Sequence, residues 1–327
     1  MAFTASPEGH VEQIGTTAGG EMAADIAALG PVFSSCAVGR DMATPQGLRS
    51  YEDELVRTVW TRGPTVPHVM DLSIDLPGRS LPVRVYRPDV TGGEELPAII
   101  WFHGGGLLMG GLESDDMVCR AIAKAVHCVI YNVDYRLAPE HPYPAAHDDA
   151  MLACRAIMND PPGGPVDRSR IVIAGYSGGG CISAAACHAA VSEGWGQPVG
   201  QILLVPLIDF TAHYSAAKRS EADARNSSIY VNSYFQDPAT DRADPRISPL
   251  WADDFSKLPP TFILTGELDP RRTEAEVYAR HLQSAGVPVQ IAMAFGMPHL
   301  FLHLSDKVAN AKVALDRTIV ALRHLLA

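Results

Sequence analysis

No two of the six cysteines (Cys36, Cys119, Cys128, Cys154, Cys181, Cys187) stand in a C-x-x-C pair. They fall singly, several of them inside apolar or helical stretches, where a small buried thiol is the simplest role and a reducing compartment the natural setting. Basic clusters are also missing. The net charge of -11 is spread along the chain, and nothing in it suits a phosphate backbone, so nucleic acid is not an expected partner. The first thirty residues hold no basic start followed by an apolar stretch of signal-peptide length. No later run approaches about 18 uninterrupted apolar residues. A cytoplasmic protein that does not enter a membrane is the expectation. There is no G-x-x-x-x-G-K-[ST] phosphate loop, no internal repeat and no low-complexity tract. His299 and His303 lie four apart, but the Glu of H-E-x-x-H is absent, so neither a metal nor a nucleotide cofactor is expected.

What is present is an ordinary globular mixture, 47% hydrophobic and 19% charged over 327 residues, enough for one large core with a smaller attached element. Residues 1–50 mix small and polar positions with a short amphipathic stretch near Glu21 to Leu29. They read as a loosely organised helical leader. MDLSIDLP and LPVRVYRP, parted by Gly78, Arg79 and Ser80, alternate like the two strands of an edge hairpin. Six short apolar runs follow at 97–102, 127–133, 170–175, 201–207, 261–266 and 289–295. Each is too short for a typical helix and rich in branched residues, as buried parallel strands are. Helical segments near 115–126, 145–158, 178–193, 273–285 and 305–326 alternate with them. The expected fold is therefore α/β: a mostly parallel eight-stranded sheet with helices on both faces. Residues 208–258 interrupt that alternation by roughly fifty positions, a length typical of a lid over the strand ends.

Open parallel sheets carry reactive groups just past the carboxyl ends of their strands. Three such places stand out. GYSGG at 175–179 puts Ser177 between a strand and a helix, in the G-x-S-x-G pattern of a serine on a sharp, strained turn. HGGG at 103–106 follows PAIIWF and supplies glycine N–H groups able to converge on a developing oxyanion, with the N–H of Gly178 completing the set. Loss of one such donor commonly costs about 10²–10³ in rate. Asp269 and His299 follow two late strands. A serine hydroxyl needs an imidazole to take its proton and a carboxylate to orient the ring, and the order Ser, Asp, His suits this type of sheet. Glu267, two residues before Asp269, is the alternative orienting acid.

Taken together, HGGG (103–106), YRLAPE (135–140) with PYPAAHDD after it, GYSGGG (175–180), LDP (268–270) and GMPHLF (296–301) resemble the hormone-sensitive-lipase-like family of bacterial esterases over residues 68 to 304. The resemblance implies the α/β-hydrolase fold with a helical cap made from residues 1–50 and an insertion at 208–258, on a catalytic domain of residues 51–327. It implies Ser177, Asp269 and His299 as triad, and Gly105, Gly106 and Gly178 as oxyanion-hole donors. It further implies esters of short to medium acyl chains as small-molecule substrates, and no cofactor. Such relatives are often dimers through an edge strand, so it allows a homodimer. This chain departs from the family in having Tyr176 where Asp or Thr is common, Gly178 where Ala is common, Leu107 where an aromatic often follows HGGG, and DPRRTE at 269–274 in place of DPLxDE.

The reaction expected is a two-step acyl transfer, with His299 protonating the leaving alcohol and then activating water. Activity should fall on acidification as the imidazole gains a proton. Leu107, Leu108, Phe210, Tyr214, Tyr230, Tyr234 and Phe235 are the candidates for an apolar substrate pocket, with core packing the competing role for each. An amidase or lactonase would use the same triad. A small-molecule receptor on this fold would be expected to lack one triad member, and none is missing.

Overall fold

Leu96–Phe102 (β4) is buried at all seven positions, and its side chains divide by parity. Ala98, Ile100 and Phe102 enter one apolar layer, while Ile99 and Trp101 enter the other. A strand points successive side chains to opposite faces, so a continuous apolar run marks a sheet covered on both sides. The structure, a computed structural model, describes all residues except 1, 2, 4, 7, 8, 17–19, 91, 212 and 215–228.

Around β4 the sheet holds β1 (Glu12–Ile14), β2 (His68–Leu76), β3 (Arg79–Arg87), β5 (Val129–Val133), β6 (Val166–Tyr176), β7 (Gly200–Leu204), β8 (Thr261–Gly266) and β9 (Val289–Ala294). Their order is β1-β9-β8-β7-β6-β4-β5-β3-β2. Only the β2–β3 and β3–β5 pairings are antiparallel. The expected edge hairpin is present, with a tighter turn at Pro77 and Gly78, since Leu76 already pairs with Arg79.

The sheet has nine strands rather than the eight expected. The extra one, β1, comes from the leader that reads as helical, and it pairs in parallel with β9. Three residues carry no detectable period, and what makes them a strand is the open edge of β9. The rest of the N-terminal segment is helical: α1 (Ala24–Ala27), α2 (Gly30–Ala37) and α3 (Pro45–Thr58). Thr44 caps α3 by accepting the Gly47 N–H, and Pro45 opens it, a favourable helix start.

The crossover helices are α4 (Asp116–Val126), α5 (Ala145–Asn159), α6 (Gly178–Glu193) and α7 (Arg272–Ser284), and α8 (Ala309–Leu325) follows the last strand. That final helix begins at 309 rather than near 305 because residues 305–307 form a turn that follows the 3-10 turn at Leu302–Leu304. Within the 208–258 insertion the structure describes a helical stretch at 229–234 and a 3-10 turn at Pro249–Trp251. Its residues 212 and 215–228 lie outside the described part. Among the described residues no helix is long and apolar enough to cross a membrane.

Candidate active site

β6 ends at Tyr176 and α6 starts at Gly178, leaving Ser177 alone in the turn with φ 53° and ψ -113°. A side-chain-bearing residue held at positive φ stores on the order of 1–3 kcal/mol of strain. Its backbone fixes it there: the N–H donates to Leu204 O at 2.9 Å, and the carbonyl accepts from Leu207 at 3.0 Å. Glycines make the turn possible, since a methyl group on Gly179 would collide with the carbonyl of Phe102 at the end of β4.

Three stretches of chain meet at this turn. Ser177 Oγ lies 2.7 Å from His299 Nε2. His299 Nδ1 faces both carboxylate oxygens of Asp269 at 3.0 Å. The Asp269 side chain is fully buried and that of His299 about a quarter exposed, at 27%. Asp269 Oδ1 also accepts the Arg271 N–H at 2.8 Å, which fixes the carboxylate at the start of α7. Glu267 is turned to other tasks, accepting the N–H groups of Gly20 and Gly296.

The glycine loop after β4 packs directly on the start of α6. The Cβ position of Gly178 would sit 3.0 Å from Gly106 Cα and N. Among the described residues no acceptor takes the N–H of Gly105, Gly106 or Gly178. The positive end of the α6 dipole lies there too, where it favours negative charge. His103 braces the loop from below. It is fully buried, donates from Nδ1 to Gly104 O at 2.7 Å, and stacks on Tyr135 of the YRLAPE segment at 4.2 Å. Burial lowers its pKa, keeping the ring neutral.

The candidate pocket residues divide. The Tyr230 ring stands against Gly106, where an added methyl group would collide with it. Leu107, Leu108 and Tyr234 are fully buried, and Phe210 and Phe235 nearly so. Phe210, Tyr234 and Phe235 form a cluster of rings with Tyr143, and the Tyr234 hydroxyl is bound to His147 Nδ1 at 2.6 Å. Tyr214 is half-buried and stacks on Trp251. His303, the other half of the four-residue histidine spacing, pairs through Nε2 with Asp115 at 2.7 Å. Among the described residues no group of three His, Cys, Asp or Glu side chains is arranged to hold a metal.

Two contacts near the site are not legible in the sequence, although Tyr176 itself stands out there as a departure from the family pattern. Arg49 of α3 reaches the loop after β4 and donates to Leu108 O at 2.7 Å. The Tyr176 hydroxyl donates to the carbonyl of His299 at 3.0 Å. A motif search flags Tyr176 but neither contact, because each joins segments far apart in the chain.

The profile of an α/β-hydrolase-fold family matches residues 99–303. The carboxylic ester hydrolase LipN of Mycobacterium tuberculosis is 36% identical over 269 residues, 79% of this chain and 70% of that protein. The ethyl acetate hydrolase of Pseudomonas putida is 32% identical over 269 residues, 79% of this chain and 83% of that one. Among solved structures, LAE6, an α/β hydrolase from the metagenome of Lake Arreo, superimposes with a TM-score of 0.85 at 30% identity, covering 93% of this chain and 99% of LAE6. EstE1, a thermostable carboxylesterase from a metagenomic library, gives 0.79 at 30% identity over 87% of this chain and 98% of its own. With the motifs, the sheet and these relatives in agreement, the chain belongs to the hormone-sensitive-lipase-like esterases of the α/β-hydrolase fold.

Proposed function

We propose that Ser177 is the nucleophile of this carboxylic ester hydrolase, with His299 as its base and Asp269 as the carboxylate that orients His299. The observation that carries the reading is the contact of one imidazole with both groups, Ser177 Oγ at 2.7 Å on one nitrogen and Asp269 at 3.0 Å on the other. As Ser177 attacks the ester carbonyl, its proton passes to Nε2, and the Nδ1–H held by Asp269 stabilises the imidazolium. The carbonyl oxygen becomes an oxyanion facing the free N–H groups of Gly105, Gly106 and Gly178. His299 then protonates the leaving alcohol. The acyl-enzyme is opened by water that gives its proton to the same nitrogen.

The substrate range we propose is short- to medium-chain esters, with Tyr230 as the pocket residue nearest the oxyanion donors. Leu107, Leu108, Phe210, Tyr234 and Phe235 form the layer behind it, and Tyr214 stands further along the insertion. The cap we propose combines the N-terminal segment with residues 208–258. The N-terminal part of that cap is residues 1–50, which include the beginning of α3 at Pro45. Six free, buried thiols fit a cytoplasmic setting.

Intact-protein mass spectrometry after a fluorophosphonate, followed by peptide mapping, tests nucleophile and activation together. One adduct on the peptide containing Ser177 is expected, and none in Ser177→Ala. An adduct elsewhere, or a Ser177→Ala enzyme that still turns over p-nitrophenyl butyrate, would overturn the assignment.

A further inference from the structure

The residue before the nucleophile is a tyrosine in this chain, and its side chain spans from the Ser177 turn to the loop that carries His299. Tyr176 is the last residue of β6 and points into the apolar layer that also holds Met297, Phe301 and Leu302. Its ring is fully buried, so its hydroxyl must find partners. It finds two on the same loop: it donates to His299 O at 3.0 Å and accepts the Phe301 N–H at 3.2 Å. A phenol can donate and accept at once, whereas an ionised aspartate at this position only accepts.

The ring itself has little freedom. On one side it lies against Gly104 of the HGGG loop, whose Cβ position would be 3.1 Å from Tyr176 Cδ1. On another it meets the edge of His303 at a centroid distance of 5.0 Å. His303 is in turn fixed by Asp115, whose second oxygen accepts the Trp101 N–H at 2.8 Å. Trp60 stacks on the His303 ring at 4.3 Å. Tyr176 is thus clamped between two rigid neighbours, and it brackets the backbone of His299 from a position covalently joined to Ser177.

We infer that Tyr176 is a positioning residue for the esterase reaction: its hydroxyl fixes the His299 backbone so that Nε2 stays within reach of Ser177 Oγ. The inference rests on the Ser177–His299–Asp269 reading above. No atom of Tyr176 needs to touch the ester. Without its hydroxyl the loop has no tie to β6 at this point, and the imidazole loses part of its alignment. Misplacement on the order of 1 Å can lower a rate by about 100-fold.

Tyr176→Phe removes both hydrogen bonds while keeping the ring. With p-nitrophenyl butyrate its kcat is expected to fall by about 10- to 100-fold, with KM changed less than about threefold. The rate of fluorophosphonate labelling should fall in parallel, and the melting temperature should fall by a few degrees, since a buried N–H and a carbonyl lose their partner. In exchange experiments the Phe301 amide is expected to be slow in the unaltered enzyme and faster in the variant. A Tyr176→Phe enzyme with unaltered kcat and labelling rate overturns the inference. So does a loss confined to KM. If the variant fails to fold, the Phe301 amide of the unaltered enzyme decides: exchange as fast as in an unbonded loop overturns the inference as well. Ser177→Ala separates the two claims. If that variant is inactive while Tyr176→Phe is normal, only the role of Tyr176 fails; if it retains turnover, the triad assignment fails.

Discussion

Arg49 donates its Nε–H to the carbonyl oxygen of Leu108 at 2.7 Å, tying a helix of the N-terminal segment to the loop that carries Gly105 and Gly106. The same guanidinium donates to Ala138 O at 2.7 Å and pairs with Glu140. Ala138 in turn donates to Leu107 O. One side chain therefore joins α3, the glycine loop and the YRLAPE segment.

Arg49→Ala leaves two carbonyl oxygens without their donor, and a buried group so orphaned costs about 1–3 kcal/mol. The expected result is a lower melting temperature and a kcat reduced by about tenfold as the proposed oxyanion donors loosen. Arg49→Lys lacks the planar fork and should fall between. Glu140→Gln keeps both carbonyl bonds and loses only a partner whose side chain is half exposed, so it should change little. The claim fails if kcat of Arg49→Ala matches that of the unaltered enzyme.

Gly178 is the second case in which a departure from the family pattern has a geometric reason. Its Cβ position would lie 3.0 Å from the backbone of Gly106 and 3.1 Å from Leu107 N. Gly178→Ala therefore has to push the glycine loop outward by a few tenths of an ångström, displacing two of the three proposed donors. We expect kcat for p-nitrophenyl esters to drop several-fold with stability nearly unchanged. An alanine variant as fast as the native enzyme would show that the loop adapts without penalty.

Much of this site was legible in the sequence, for definable reasons. Strands buried on both faces must be continuous apolar runs, so the six inner strands stood out. A serine at positive φ needs small neighbours, so GYSGG marked the turn at Ser177. What escaped was decided by contacts between remote segments. Glu12–Ile14 becomes a strand only because β9 has a free edge. The roles of Arg49 and Tyr176 depend on carbonyl groups 59 and 123 positions away. The aromatic residues of the insertion showed the opposite limit. Their type fitted a pocket, but type alone does not distinguish a pocket wall from a core, and the Tyr234 hydroxyl is occupied by His147.

The parallel pairing of β1 with β9 has a consequence for association. Glu12, Gln13 and Ile14 cover the outer edge of the sheet, where Phe295 donates to Ile14 O at 3.0 Å and Arg317 holds Glu12 at 2.7 Å. Removing residues 1–14 bares the N–H and C=O groups of β9, and an uncovered edge strand is a template for pairing. The shortened chain should self-associate more strongly than the full chain at equal concentration in sedimentation or size-exclusion experiments. Identical behaviour of the two chains would mean that β1 does not guard this edge.

Glu52 lies one turn after Arg49 on α3 and is almost completely buried. It stands beside Asp115, Tyr176 and His303 around a cavity of about 30 Å³. Burial, with smaller contributions from the charges of Asp115 and Asp53, raises its carboxyl from 4.5 to about 8, against the opposing effect of Ser114 and the Gly110 backbone. Between those pH values the folded chain keeps a proton that the unfolded chain releases. Stability therefore falls as pH rises from about 4.5 to about 8 and this contribution levels off above. Glu52→Gln carries no such proton. Other titrating groups act on both chains and cancel in the comparison. Urea unfolding at pH 5, 6.5 and 8 should show the glutamine variant gaining on the native enzyme, by on the order of 2 kcal/mol over the range. Parallel stability curves across that range would mean that Glu52 is ionised in the folded protein, and the neutral acid between α3 and the glycine loop would have to be abandoned.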